Sequence, residues 1–186
     1  MRDHVHLSRR GLVAALTVAV VAAAAAGAAL AASSTPAGGT FHEIGSSAGG
    51  GGGGKVLITG AIGDHGTSQT VNKAGKPDQN GSFVKLSLTQ GTITLNKTKL
   101  DVAVNKAFNS AAINSATCSV QVAASAGLPF TGGTGLYTGI SGTADITLVY
   151  GFILPRKASG ACNESNGANP TAAQQITYGG GTVSFK

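Results

Sequence analysis

Apolar side chains in this chain recur at every second position, segment after segment. Val84, Leu86 and Leu88 alternate with Lys85, Ser87 and Thr89. Cys118, Val120 and Val122 repeat the pattern, and Ala144, Ile146, Leu148, Tyr150 and Phe152 make the longest regular face. A period of two sends successive side chains to opposite faces of an extended chain, so these segments read as half-buried strands. Residues 55–60 form a short apolar strand, and Leu100, Val102 and Val104 alternate as another. Ile93 and Leu95 follow a phase change at Gly91, which demands a bulge or a tight hairpin. Ile176, Tyr178 and Val183 to Phe185 read as a closing strand split by Gly179-Gly180-Gly181. Residues 64–81, rich in Gly, Asn and Lys and containing Pro77-Asp78, read as a long loop with irregular strand pieces at most. Residues 107–116 are the one stretch suited to a helical turn, and no heptad or long 3.6-residue stripe exists.

Composition supports the same class. Gly supplies 29 of 186 residues without a G-X-Y period, which excludes collagen and disfavours long helices. With 42% hydrophobic and 11% charged residues, the chain is not a disordered polyelectrolyte. Seven or eight strands at this spacing give a sandwich or a barrel. No segment reads as a protected edge strand, so the expected fold is all-β: an antiparallel barrel of about eight strands over residues 55–186.

Residues 1–31 read as a signal peptide. Arg2, Arg9 and Arg10 precede an Ala- and Val-rich apolar run, and Ala29-Leu30-Ala31 is a small-x-small cleavage site. The segment Ser8-Arg9-Arg10-Gly11-Leu12-Val13 resembles a twin-arginine export signal. The expected location is therefore secreted or cell-envelope, with no stable membrane insertion after cleavage. Residues 32–54, ending in the six glycines 49–54, read as a flexible Gly/Ser/Ala linker. Phe41-His42-Glu43-Ile44 interrupts it as a short apolar touch, taken as part of an unstructured tail.

Cleavage removes three Arg and one Asp, leaving a net charge of +4 from the +6 of the whole chain. The remaining lysines are scattered and there is no Trp, so neither a nucleic-acid patch nor a stacking platform is expected. Cys118 and Cys162 are the only cysteines, and an oxidising export compartment favours one structural disulfide between them. His42 and His65 are the only histidines beyond the signal, too few to suggest a zinc site, so no metal is expected.

The most distinctive segment is Thr131-Gly132-Gly133-Thr134-Gly135-Leu136-Tyr137-Thr138-Gly139-Ile140-Ser141-Gly142. Its glycines mark turns or close backbone approaches, and Tyr137 is placed to pack over them and hydrogen-bond through its hydroxyl. The segment resembles the glycine-rich motif, T-G-G-[TS]-G-[IL]-[FY]-x-G-x-x-G, of the allene oxide cyclase and dirigent-like barrel superfamily, most closely its secreted bacterial members. The resemblance implies an eight-stranded barrel with an apolar cavity, no metal or organic cofactor, and dimers or trimers. In the plant relatives the cavity steers a reactive small molecule. The family's cyclases carry a G-D-[YL]-G stretch shortly before the motif, whereas here Gly63-Asp64-His65-Gly66 lies far earlier, and no family catalytic residue is carried over.

No nucleophile elbow, paired-carboxylate motif or nucleotide loop is present. Asp64 and His65 read as a turn cap more readily than as an acid–base pair. Asp145 is the candidate catalytic acid, should its strand face line the cavity. Tyr137, Tyr150 and Tyr178 are the candidate ligand-binding residues. The expectation is an exported barrel binding a small apolar or amphipathic molecule. The alternatives are a cofactor-independent isomerase or cyclase and a structural cell-surface protein.

Overall fold

A computed structural model describes residues 36–48, 53–165 and 167–186, and the expected signal peptide lies outside them. In chain order the elements are β1 (Gly39–Ser47), β2 (Gly54–Gly60), β3 (Asp64–Val71), β4 (Phe83–Leu88), β5 (Gly91–Asn96), helix α1 (Thr98–Asn109), β6 (Ser119–Gly133), β7 (Ser141–Ile153) and β8 (Ala172–Ser184). The eight strands form a closed antiparallel barrel in which each pairs with its sequence neighbour and β8 pairs back onto β1. Closure leaves no continuous sheet edge. The expected all-β barrel of about eight strands is what the chain forms.

Four local expectations are corrected. The segment assigned to the linker contains β1, which closes the barrel by pairing with both β2 and β8. Phe41 and Glu43 point inward there while His42 and Ile44 point outward, so this island carries the strand period within a Gly- and Ser-rich setting. The long loop expected from residue 64 contains β3, whose inward positions Gly66, Ser68 and Thr70 are small or polar and give no apolar alternation. Leu100 and Val104 lie on a helix rather than a strand. They are four apart and share its inner face, and Val102, at 66% exposure, faces out. Finally, β8 runs unbroken through Gly179-Gly180-Gly181.

That glycine run decides what fits inside the barrel. Gly179 stands opposite Glu43 on β1 and Ile146 on β7, and Gly181 opposite Phe41 and Ala144. A Cβ on Gly179 would collide with the carbonyl oxygen of Asp145. With no side chains at Gly179 and Gly181, the space beside them is left to Glu43 and the Phe41 ring. Alternating small and large residues in this way is how a small barrel accommodates its contents.

The packed core occupies the end of the barrel where β1, β3, β5 and β7 begin. Phe41, Ile58, Ile93 and Tyr137 are buried there, and Phe41 meets Phe130 edge-on with ring centroids 5.7 Å apart. At the other end β5 leads into α1, which packs against β6 and closes over part of the barrel. Cys118, where β6 starts, is disulfide-bonded to Cys162 in the loop between β7 and β8, as the sequence predicts.

Candidate functional site

Two carboxyl groups are buried in the barrel, Glu43 and Asp64. Both lie on one cross-strand row, in which Glu43 pairs with Ile58 and Ile58 with Asp64. Their surroundings differ. Asp64 opens β3 at the packed end. One carboxylate oxygen accepts the Thr89 hydroxyl at 2.6 Å, the Thr89 amide at 3.3 Å and the His65 amide at 2.6 Å. The other accepts the Gln90 amide at 3.0 Å and the Tyr137 hydroxyl at 2.6 Å. Burial pushes this carboxyl's pKa up, but the donors outweigh it and bring the value down to about 2. Burial, the hydrogen bond to Asp64 and its negative charge all push the Tyr137 hydroxyl's pKa up, so it stays a proton donor.

The glycine motif is what delivers Tyr137. β6 ends at Gly133, Gly135 turns the chain with φ +61°, and a single 3-10 turn over Gly135–Tyr137 drops the ring into the core. The motif therefore ties the β6–β7 connection to β3 and to the turn between β4 and β5.

Glu43 faces a cavity of about 240 Å³. Its lining is apolar at Leu86, Leu95, Leu128, Ile146 and Leu148 from the strands and at Leu100 and Val104 of α1. Polar residues complete the lining, among them Ser46 and Ser47 at the end of β1, Ser68 on β3 and Gln175 on β8. Burial lifts the Glu43 carboxyl to a pKa of about 7, against a smaller downward pull from the Thr177 hydroxyl bonded to it. Among the described residues no Lys, Arg or His forms an ion pair with Glu43. The one lysine in the lining, Lys97, is held by Asp101 at 2.5 Å. The cavity thus offers an apolar body and one isolated carboxyl that changes charge near neutral pH.

None of the four residues singled out in the sequence lines this cavity. Asp145 is exposed on the outer face of β7, between the inward Ala144 and Ile146. Its strand face does not line the cavity, so the condition for a catalytic acid there is not met; the buried carboxyl in the lining is Glu43. Tyr137 is 1% exposed but belongs to the Asp64 network at the packed end. Tyr150 is half-buried against Phe108 of α1 and Phe152, with ring centroids 5.8 and 5.5 Å away. Tyr178 is 49% exposed on the outer face of β8, beside Ile44. Asp64 accepts from the Thr89 and Tyr137 hydroxyls and from the amides of His65, Thr89 and Gln90, while the His65 side chain faces solvent. The residues missed are Glu43 and Thr177. The inward–outward alternation of Phe41-His42-Glu43-Ile44 carried the signal, but the flanking glycines and serines masked it.

No family model, no curated protein and no solved structure matches this chain.

Proposed function

We propose that this chain is a binding barrel that takes a small apolar or amphipathic molecule into the cavity beside Glu43. The observation that carries the reading is the cavity itself: about 240 Å³ left open inside the barrel, with six leucine, isoleucine and valine side chains from the strands, two more from α1 and one buried carboxyl in its lining. An apolar pocket with few, well-placed polar groups is the usual form of a small-molecule site. A barrel serving only as a structural element has no need of that space, since eight strands are few enough for side chains to fill the interior. The closed eight-strand topology and the glycine motif support the likeness to the allene oxide cyclase and dirigent-like barrels. The disulfide agrees with an exported protein, since such bonds persist in oxidising compartments.

The test is uptake of an environment-sensitive apolar dye, compared between the wild type and Leu148→Trp, which fills the cavity from its half-buried wall. Saturable one-to-one uptake that Leu148→Trp abolishes supports the reading. Equal dye response in both proteins, or none in either, rejects it.

Glu43 favours a second reading, a cofactor-independent isomerase or cyclase. A carboxyl with a pKa of about 7 is protonated often enough near neutral pH to donate a proton, and ionised often enough to accept one. Turnover of a bound small molecule by the wild type but not by Glu43→Gln supports this reading. Unchanged turnover in Glu43→Gln removes it.

A further inference from the structure

We infer that the cavity selects apolar amines: molecules with a hydrocarbon body and one ammonium group that pairs with the Glu43 carboxylate. This rests on the cavity-binding reading and names its ligand class. The geometry supplies the argument. Glu43 is 9% exposed, stands on the inward face of β1 and is turned into the cavity, where its protein partner is the neutral Thr177 hydroxyl. A buried carboxylate with no cation beside it is unfavourable, and a charge of opposite sign brought by the ligand offsets that.

The other charged groups around the cavity do not compete for this role. β8 presents Thr177 and Gln175, while β4, β6 and β7 present apolar side chains. β3 presents Ser68 and Thr70, and its Asp64 is turned to its own five donors. α1 presents Asp101 joined to Lys97, which immediately precedes the helix, a pair with no net charge. His42 is on the outward face of β1. The cavity's uncompensated charge is therefore negative, and it sits among the leucines and Ile146 that would hold the ligand's hydrocarbon part. A carboxylate ligand would place two like charges together, and an alcohol would gain a hydrogen bond without the ion pair.

The pairing has a proton signature. An ammonium group binds the ionised form of Glu43, so below the carboxyl's pKa of about 7 each binding event must first release a proton. Amine affinity then rises with pH up to about 7 and levels off until the amine itself loses its proton, near pH 10 for an alkylamine.

The experiment is calorimetric titration of the whole exported protein with octylamine, octanol and octanoate, which share one hydrocarbon chain. Near pH 8, octylamine is expected to bind at least about tenfold tighter than octanol, with octanoate weakest. Between about pH 8 and pH 5.5, octylamine affinity is expected to fall about 30-fold while octanol affinity does not fall. Glu43→Gln should make octylamine and octanol equal and abolish the pH dependence. The wild-type pH series stands as a test even if that variant does not fold. Octanol or octanoate binding as tightly as octylamine overturns the amine inference and leaves the cavity reading standing. An octylamine preference that survives in Glu43→Gln also overturns it. If none of the three binds, the cavity reading fails with it.

Discussion

Glu43 and Asp64 are both carboxyls inside one barrel, on one cross-strand row, and they have opposite chemistry. Asp64 has five donors and a pKa of about 2, so it remains ionised at any physiological pH. Glu43 has one hydroxyl, an apolar cavity and a pKa of about 7. Burial acts in the same direction on both, and the number of donors reverses its outcome at Asp64. A buried acid whose lone pairs are fully used holds a structure together. One whose lone pairs are largely unused remains available to something that enters the cavity. Donor-satisfied Asp64 fastens the packed end, and the binding proposed for the cavity rests on the carboxyl that is not so satisfied.

The largest effect that would break this contrast is at Asp64. Asp64→Ala leaves the buried Tyr137 hydroxyl and the part-buried Thr89, Gln90 and His65 donors without their acceptor, and is expected to cost about 3–5 kcal/mol for the five bonds together. A urea titration reads this as a lower midpoint. A loss below about 1 kcal/mol would mean that the network does not hold the packed end.

Next comes the pH dependence of Glu43. Its folded pKa lies above the ordinary glutamate value of 4.5, so the folded state binds the proton more tightly. The associated stability is fully present below about pH 4.5, is lost as pH rises through about 7 and then levels off, a total of about 3 kcal/mol. Glu43→Gln should flatten the profile in that window and make the protein more stable than wild type near pH 8. Denaturation midpoints taken across the window check both statements. A wild-type profile already flat there would remove the chemical distinction between the two acids.

Much of the fold was legible because alternation survives wherever inward residues are apolar, as in β4 and β7. It was lost where the inward face is polar or glycine-rich. β3 places Asp64, Gly66, Ser68 and Thr70 inward and so looks like a loop. β1 is surrounded by linker-like composition, and Gly179-Gly180-Gly181 looks like a break although it allows close strand approach. Leu100, Val102 and Val104 fit period two as well as four, and the helix is settled by tertiary packing of Leu100 and Val104 on the barrel. The site was harder to read than the fold. Asp145 alternates opposite the apolar face of a long strand that is plain in the sequence, whereas Glu43 shares its face with Phe41 in a segment too short, and too closely flanked by Gly and Ser, to be read as a strand.

Asp64 titrates in the opposite sense to Glu43, with a smaller effect. Its folded pKa is depressed, so its contribution is present above the ordinary aspartate value of 3.8 and is lost as pH falls through about 2, a total of about 2 kcal/mol. Acid unfolding of Asp64→Asn, followed by circular dichroism, should show no added loss in that range. A wild-type protein equally stable at about pH 2 and pH 5 would contradict the low pKa.

The smallest effect isolates the glycine motif. Tyr137→Phe keeps the ring in the core and removes one of the five donors to Asp64, so it is expected to cost about 1–2 kcal/mol. Because the four remaining hydrogen bonds still favour the ionised form, Asp64 should rise only part of the way from about 2 toward 3.8. The acid limb of the stability profile should shift upward with it. Ligand uptake should be unchanged, since Tyr137 does not line the cavity. If Tyr137→Phe abolished uptake while leaving stability intact, the assignment of the motif to the packed end would be wrong. A loss of stability with uptake unchanged would place the motif's role in joining β3, the β4–β5 turn and the β6–β7 connection, leaving recognition to the side chains around Glu43.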